Sequence, residues 1–243
     1  MNLITLPGVF QPHSDTWMLA EVLHGETTAS GGTVLDLGTG SGALAVTAAL
    51  LGARVTAVDV SRRALWSARL NARRHGVGLR ARRGSLFEAL GGERFHVIVS
   101  NPPYVPSRTD HLPRRGAERA WDAGAAGRSV LDRICAEAPG HLVPGGVLLL
   151  VQSSLVGVEE TVRALEAGGL RAEIAARRPG PLGPLMAGRA PMLAERGLLG
   201  VGEGSEDLVV IRAASEIEHG RRHPGRSAIQ AGWRGPTAIV ASP

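Results

Sequence analysis

A glycine-rich turn between an apolar strand and an apolar helix constrains this sequence more than any other feature. The run Thr33–Leu37 predicts a buried strand, Gly38, Gly40 and Gly42 follow it, and an apolar stretch to Leu51 predicts a helix. Glycine permits a tight strand-to-helix turn and lets the backbone approach a ligand beside the positive end of the helix. The spacing is G-x-G-x-G and no Gly-Lys-Ser/Thr follows, which disfavours the dinucleotide fingerprint and the phosphate-binding P-loop.

The next predicted strand, Arg54–Asp59, ends in an acid. An acid at the tip of this strand accepts hydrogen bonds from the ribose hydroxyls of a bound nucleoside in folds of this kind. Asp59 is therefore the main candidate for binding a nucleoside-containing cofactor.

Strands and helices alternate from Thr33 to Arg212, which predicts an α/β fold with a doubly wound, Rossmann-like, mostly parallel sheet of seven strands. We expect one domain over residues 1–213, in which residues 1–32 form a segment and helix covering the site. Residues 214–243, rich in Arg, Gly and Pro, are expected to be a disordered tail. The other predicted elements are helices over 61–75, 128–142 and 156–167, and strands over 79–83, 95–100, 147–151, 170–177 and 207–212.

Several local signals refine these elements. Ser14 or Asp15 is the expected N-cap of the first helix, and Ser61 that of the helix after Asp59. A Pro-Gly-Gly turn at 144–146 is expected to precede the strand over 147–151, and residues 179–191 form a Pro/Gly-rich excursion. The long segment over 106–127 is a candidate lid.

The tetrapeptide Asn101-Pro102-Pro103-Tyr104 directly follows the predicted strand over 95–100. Both prolines lack an N–H, and Pro102 forces Asn101 into an extended conformation. The turn thus presents acceptors: the Asn101 side-chain oxygen and a backbone carbonyl can accept both hydrogens of an NH2 group, beside an aromatic ring. This predicts a site for a planar amide or amine. The alternative is a rigid loop whose tyrosine packs on the core.

All 27 basic residues other than histidine are arginines, and the net charge is +5. The arginines cluster, notably over 62–83, so an RNA or ribosome contact is one interpretation. Solvated helix faces are the other, and the expected lack of interleaved aromatic residues in the clusters favours them. The single cysteine, Cys135, excludes an internal disulfide and a cysteine-based zinc cluster, and no metal is implied. No leader or long apolar run is visible, so we expect a cytoplasmic protein.

Taken together, these motifs resemble the class I S-adenosylmethionine-dependent methyltransferases, and within them the HemK-type glutamine N5-methyltransferases of peptide-chain release factors. The resemblance runs from Gly8 to Arg212. It implies S-adenosylmethionine as the cofactor and S-adenosylhomocysteine as the product. The segment Asp36, Gly38, Gly40 and Gly42 resembles the family's cofactor loop, Asp59 with Val60 its ribose-binding strand end, and Asn101-Pro102-Pro103-Tyr104 its acceptor turn.

A further resemblance involves the segment before the first helix. Phe10, Pro12, Asp15 and Thr16 match the aromatic-x-Pro-x-x-Asp-Ser/Thr pattern of a short HemK branch, known in eukaryotes and archaea, which lacks an N-terminal helical domain. The resemblance implies cofactor contacts from Pro12, Asp15 and Thr16. Residues 116–132 also resemble this branch.

The resemblance also assigns roles around the acceptor turn. Asn101, Pro102 and Tyr104 are the implied catalytic residues, and Asn101 also contacts the cofactor. Further implied cofactor contacts are Ser85, which stands where the family usually has an acid, and Leu86. Implied substrate contacts are Phe10, Asn101, Pro102, Pro103, Tyr104 and Trp121; a Trp in a polar loop is otherwise a packing anchor.

Four functions stay open on this basis. The leading one is methylation of a glutamine amide in a release-factor-like protein. The same turn accepts an adenine or guanine amino group, so a nucleic-acid methyltransferase is an alternative. A small-molecule N-methyltransferase would require an enclosed pocket, and an inactive cofactor-binding scaffold would tolerate Ser85. An exposed apolar edge on the third strand would indicate a small activating partner protein.

Overall fold

The computed structural model describes residues 1–26, 31–113, 116–200 and 202–216. They form a seven-stranded sheet in the order β3-β2-β1-β4-β5-β7-β6. The predicted doubly wound α/β fold is thereby confirmed. The strands are β1 (Thr33–Leu37), β2 (Arg54–Asp59), β3 (Arg80–Arg83), β4 (Phe95–Ser100), β5 (Leu142–Ser153), β6 (Leu170–Pro181) and β7 (Ser205–Ser215), and the helices are α1 (Ser14–Gly25), α2 (Ala43–Leu50), α3 (Arg62–Arg74), α4 (Ser129–Glu137), α5 (Val158–Ala167), α6 (Pro184–Ala187) and α7 (Ala190–Glu195).

The central strands β2, β1, β4 and β5 run parallel and bring the functional motifs to one edge of the sheet. Leu37, the last residue of β1, pairs with Val58 on one side and Ser100 on the other. The residues that follow β1, β2 and β4 therefore leave the sheet side by side. Ligands of open α/β sheets bind at this carboxyl edge, where the strand order reverses.

Helices cover both faces of the sheet because alternate strand residues point to opposite sides. Leu35, Ile98 and Leu148 pack in one core with α4 and α5 residues. Val34, Val97 and Leu149, each the neighbour of one of these, pack in a second core with residues of α1 and α2. These apolar runs, buried on both faces, are typical of parallel strands. Among the described residues, no helix is long and apolar enough to cross a membrane.

The fold differs from the sequence predictions in the second half of the sheet. The expected turn at 144–146 is wrong, because β5 begins at Leu142 and continues through it. Gly146 makes this possible: a Cβ there would lie 2.8 Å from the Val143 carbonyl oxygen and 3.0 Å from that of Phe95. The β4–β5 pairing shifts register at this place, between Phe95 and Val97. The short helices α6 and α7 were not expected in the Pro/Gly-rich stretch.

Helix caps and the end of the domain are further points of comparison. Ser61 caps α3 as predicted, accepting a hydrogen bond from the Ala64 N–H at 3.3 Å. The N-cap of α1 is His13, so the predicted cap at Ser14 or Asp15 is wrong. Strand β7 continues to Ser215, two residues past the expected domain boundary. The rest of the expected tail, residues 217–243, lies outside the described residues.

Candidate active site

The glycine turn after β1 has the backbone conformation that only glycine adopts without strain. Gly38, Gly40 and Gly42 have φ values of 68°, 54° and 86°. A Cβ at Gly38 would meet no atom within 4 Å, so the turn leaves room against its backbone. Gly42 is different, since a Cβ there would lie 2.7 Å from the Ala68 Cα. Its missing side chain allows α2 to pack against α3.

Asp36 lies beneath this turn and is almost fully buried. Its Oδ2 accepts hydrogen bonds from the Thr39 hydroxyl at 2.6 Å and the Ala45 N–H at 3.0 Å. Its Oδ1 has no hydrogen-bond partner within the described part of the chain. Burial raises the pKa of Asp36 to about 7, and the two hydrogen bonds only partly oppose this increase.

Asp59 stands at the tip of β2, beside the turn. Its carboxylate accepts from the Gly40 N–H at 3.1 Å and the Ser61 N–H at 2.7 Å. Burial raises the pKa of Asp59, while these N–H groups and the positive charge of Arg119 act in the opposite direction. A carboxylate at this position is an acceptor for vicinal hydroxyl groups.

A cavity of about 480 Å³, here called the acceptor cavity, opens at this edge of the sheet. The loop over 106–127 contributes Leu112 and Arg119 to it, so this loop does border the site. Arg119 and Arg133 also line it and were not identified from the sequence, because nothing local distinguishes them from other arginines. The predicted site residues that line the cavity are Phe10, Gly38, Gly40, Asp59, Val60, Ser85, Leu86, Asn101 and Pro103.

Ser85 accepts a hydrogen bond from a charged side chain. The Arg133 guanidinium donates a hydrogen bond to the Ser85 hydroxyl oxygen at 3.0 Å, and Arg133 also pairs with Glu88 and Glu137. The next residue, Leu86, is the one non-glycine residue of the described chain with a positive φ, 49°. A left-handed conformation is strained for a leucine and often marks a ligand site.

A chain of hydrogen bonds fixes the orientation of the Asn101 side chain. The Thr16 hydroxyl donates to Asp15 Oδ1 at 3.2 Å, so toward Asn101 it can only accept. Asn101 Nδ2 accordingly donates to Thr16 Oγ1 at 2.9 Å. This leaves Asn101 Oδ1 as the group available to a ligand, and Asn101 lines the acceptor cavity.

The same carboxylate also holds the tyrosine of the turn. The Tyr104 hydroxyl donates to Asp15 Oδ2 at 2.9 Å. Burial, together with the negative charges of Asp15 and Glu206, raises the Tyr104 pKa well above its ordinary value of 10.0. Tyr104 is therefore a neutral side chain fixed at both its ring and its hydroxyl group. Asp15 and Thr16, expected as cofactor contacts, are 6% and 4% exposed and contact the acceptor turn.

The segment before α1 is attached to α3. The Asn71 side chain exchanges hydrogen bonds with the Ile4 N–H and carbonyl, both at 2.8 Å, and the Leu6 N–H donates to the Ser67 hydroxyl at 3.1 Å. This attachment places Phe10 at the cavity, as the sequence predicted. Other expected site residues, namely Pro12, Asp15, Thr16, Asp36, Gly42, Pro102, Tyr104 and Trp121, are not among the lining residues.

Trp121 is half-buried and packs against the core on the α4–α5 side of the sheet. Its carbonyl accepts from the Val105 N–H at 2.8 Å, and the Ala123 N–H donates to the Val105 carbonyl at 3.0 Å. In this position Trp121 serves as a packing anchor that connects the loop to the segment after the acceptor turn.

A seven-stranded sheet of this order, with a glycine turn after β1, an acid ending β2 and an Asn-Pro-Pro-Tyr turn after β4, defines a class I S-adenosylmethionine-dependent methyltransferase. Residues 1–114 match the methyltransferase small domain family. The chain is 35% identical over 181 residues to a Methanocaldococcus jannaschii protein provisionally named a protein N5-glutamine methyltransferase, covering 74% of this chain and 90% of that protein. The chain belongs to this HemK-type family of protein glutamine methyltransferases.

Bacterial relatives show the same relationship over a smaller share of their length. The release factor glutamine methyltransferase of Bordetella pertussis is 41% identical over 71% of this chain. That of Geobacter sulfurreducens is 37% identical over 67% of this chain. The chain spans 66% and 58% of the length of these two proteins.

Solved structures confirm the fold. The E. cuniculi Mtq2-Trm112 complex, which methylates the termination factor eRF1, aligns with a TM-score of 0.58 at 24% identity, over 86% of this chain and 99% of that chain. The T. thermophilus 16S rRNA N2 G1207 methyltransferase RsmC, solved with AdoMet and guanosine, aligns with a TM-score of 0.54 at 23% identity, over 87% of this chain and 46% of that chain.

The residues at this edge fit S-adenosylmethionine. Asp59 would offer a carboxylate to the ribose hydroxyls, and the open space at Gly38 leaves room for a ligand against the turn. Val60 and Leu86 also line the cavity and would offer apolar surface to a purine ring. The buried Asp36 Oδ1, which has no partner among the described residues, would suit a cationic group such as the amino group of the cofactor.

Proposed function

We propose that this chain transfers a methyl group from S-adenosylmethionine to the side-chain amide nitrogen of a glutamine in a release-factor-like protein. The observation that carries this proposal is the fixed orientation of Asn101, whose Nδ2 donates to Thr16 and whose Oδ1 remains available at the acceptor cavity. The names of the bacterial relatives supply the substrate class.

An amide nitrogen is a poor nucleophile because its lone pair is delocalised into the carbonyl, so orientation must supply much of the catalysis. The bound cofactor would supply an electrophilic methyl group: as the nitrogen–carbon bond forms, the carbon–sulfur bond breaks, S-adenosylhomocysteine leaves and the amide proton is lost to solvent. Asn101 Oδ1 and the Pro102 carbonyl accept the two hydrogens of the substrate amide and direct its nitrogen. As positive charge develops on that nitrogen, both oxygens stabilise it. Orienting the reactants in this way contributes about 7–11 kcal/mol in favourable cases.

Tyr104 supports the acceptor turn in this mechanism. Its hydroxyl is bound to Asp15 at 2.9 Å and, because its pKa is raised, it remains protonated. Because Tyr104 does not line the cavity, we assign it the role of positioning the acceptor turn, while Phe10, which does line the cavity, packs against the substrate amide. Neither residue acts as a base.

The second candidate is methylation of a nucleic-acid amino group, and the exposed face of α3 favours it. Trp66 is 67% exposed and lies among exposed arginines on this helix, including Arg62, Arg63, Arg69 and Arg73. The expectation that the arginine clusters lack an interleaved aromatic residue is therefore wrong. Arginine and an exposed aromatic ring are the side chains that bind single-stranded nucleic acid. Within the leading proposal, this face would contact ribosomal RNA.

The shape of the cavity favours a macromolecular substrate over a small molecule. Val60 and Leu112 line it and are 41% and 40% exposed, so the cavity communicates with solvent. The acceptor cavity is therefore not the enclosed pocket under the loop over 106–127 that we expected for a small-molecule methyltransferase. The intact network around Asn101 also argues against an inactive scaffold.

The edge strand β3 is where a small activating partner protein was expected to bind. Its residues Arg80, Arg82 and Arg83 are charged, so the apolar edge expected for a partner is not present on this strand. Charged side chains on an edge oppose non-specific strand pairing. Because release factors act in the cytoplasm, we place the protein there.

Methyl transfer from labelled S-adenosylmethionine tests the proposal. The purified protein is offered its host's release factors, total RNA and a small-molecule extract in parallel. We expect label on a release-factor glutamine, lost in Asn101→Ala while cofactor binding, measured by calorimetry, largely survives. Label only in RNA would support the second candidate instead. Equal loss of binding and turnover in Asn101→Ala would contradict the role of this residue.

A further inference from the structure

A second cavity, of about 420 Å³, adjoins the acceptor cavity. We call it the flank cavity. Pro113 and Asp122 line both cavities, so the two cavities share a wall. The other lining residues come from the segment after the acceptor turn and from the α6–α7 region: Ser107, Arg108, Thr109, His111, Gly188, Arg189, Pro191 and Met192.

The two sides of the flank cavity are connected by arginines of the α6–α7 region. The Arg189 guanidinium pairs with Asp122 Oδ1 at 2.6 Å and donates to the Pro106 carbonyl at 2.6 Å. Arg196 donates to the carbonyls of Ser107 at 2.7 Å and Arg108 at 3.1 Å. These bonds hold the α6–α7 region against the segment after the acceptor turn, so the cavity has defined walls on both sides.

The flank cavity has an excess of positive charge. The charge of Arg189 is compensated by Asp122, since both side chains are mostly buried, at 24% and 13% exposure. Arg108 and His111 are exposed, and neither forms an ion pair with the described residues. Asp122 is the single acid among the lining residues. An incoming acidic group would thus meet a cationic arginine and a histidine without displacing an existing pair.

We propose, resting on the function proposed above, that the flank cavity binds an acidic side chain of the substrate protein, within a few residues of the target glutamine. A peptide segment must leave the acceptor cavity once its glutamine amide lies at Asn101. Extended peptide advances about 3.3–3.6 Å per residue, so a neighbouring side chain reaches an adjoining cavity. The cationic lining then selects an acid by charge complementarity.

A peptide panel with the full chain tests this assignment. Each peptide carries one glutamine among alanines and glycines, and a single Asp is placed in turn at each of the four positions on either side. We expect wild-type protein to show a lower KM for Asp at one or two positions, at low salt where screening is weak. In Arg108→Ala this preference should shrink by about fivefold, the upper factor for an exposed ion pair.

A charge reversal makes the test sharper. Arg108→Glu should convert the preference at the same position from Asp to Lys, while kcat and the KM for S-adenosylmethionine remain those of the wild type. Arg163→Ala, an exposed arginine on α5, is the matched control and should leave the panel unchanged. Because Arg108 is exposed, both variants should retain the fold.

The outcomes separate this inference from the proposed function. If no glutamine peptide or release factor is methylated by wild-type protein, the proposed function fails. If peptides are methylated but show no Asp preference, or Arg108→Glu leaves the preference intact, the flank cavity assignment is overturned and the proposed function stands. Methylation of RNA that depends on Arg108 would also overturn it, because phosphate would then be the group bound there.

Discussion

The bond between Asn101 and Thr16 gives the sharpest prediction about the acceptor turn. In Thr16→Val the side chain keeps its size and β-branching but loses the hydroxyl that accepts from Asn101 Nδ2 at 2.9 Å. Thr16 is only 4% exposed, so water does not easily replace this acceptor. The amide donor of Asn101 is left unpaired and its side chain is free to rotate away from the substrate.

The size of the effect follows from the cost of an unpaired buried donor. That cost is about 1–3 kcal/mol. If this cost falls mainly on the enzyme–substrate complex in which the amide is correctly oriented, kcat decreases by about 5- to 160-fold, since each 1.36 kcal/mol changes a rate tenfold. Thr16→Ser keeps the hydroxyl oxygen and is the matched control, for which we expect a kcat close to that of the wild type.

The assay is steady-state methyl transfer combined with calorimetric measurement of S-adenosylmethionine binding. The two readouts are needed because Thr16 was also expected to contact the cofactor. A wild-type kcat in Thr16→Val would contradict the role of this hydrogen bond, as would an equal loss in Thr16→Ser. A decrease confined to cofactor affinity would show that Thr16 acts on the cofactor and not through Asn101.

Two further predictions concern Asp36, which is buried, and Leu86, which has a strained backbone; both lie near the expected cofactor site. Asp36 titrates near 7 in the folded protein against an ordinary 3.8, so its folded state holds a proton that the unfolded chain releases. The difference in unfolding free energy between wild type and Asp36→Asn should therefore be most favourable to wild type below about pH 4. It should decrease by up to roughly 4 kcal/mol as the pH rises towards 7 and stay constant above that pH. If urea denaturation shows the same pH dependence of stability for both proteins across this range, the burial argument is contradicted. Leu86→Gly should change the unfolding free energy by less than about 1 kcal/mol, because release of about 1–2 kcal/mol of left-handed strain is offset by about 0.5–1 kcal/mol of added chain entropy and by lost packing against the core. It should also weaken cofactor binding through loss of the leucine side chain. A change above about 2 kcal/mol in urea denaturation would contradict this balance.

Sequence reasoning located the strands that carry the site because their signals are local. Strands β1, β2 and β4 are short apolar runs, buried on both faces, that end at a glycine, an acid or an Asn-Pro pair, and their bounds match the prediction. Ser61 was found for a similar reason, since a cap bonds within its own turn. Such features need no knowledge of the rest of the chain.

Features that depend on distant residues were not predictable in the same way. The partner of Asp15 is 89 residues away in the sequence, so its side chain looked like a helix cap and turned out to bind Tyr104. Strand β5 can pass through Pro-Gly-Gly because Gly146 has no side chain to meet the backbone atoms around it. One of these atoms, the Phe95 carbonyl oxygen, belongs to β4, so the sequence near Gly146 does not reveal the crowding. The proximity of Arg119 and Arg133 to the cavity likewise follows from tertiary packing.

Asp15 and Thr16 accept hydrogen bonds from the acceptor turn, and these bonds join two segments that are far apart in the sequence. Because Tyr104 and Asn101 each depend on a partner in the N-terminal segment, a substitution on one side leaves a polar group on the other side unmatched. The two segments therefore form one structural unit. A chimaera that takes its first helix from one relative and its Asn-Pro-Pro-Tyr turn from another should work only where both parents share this pairing.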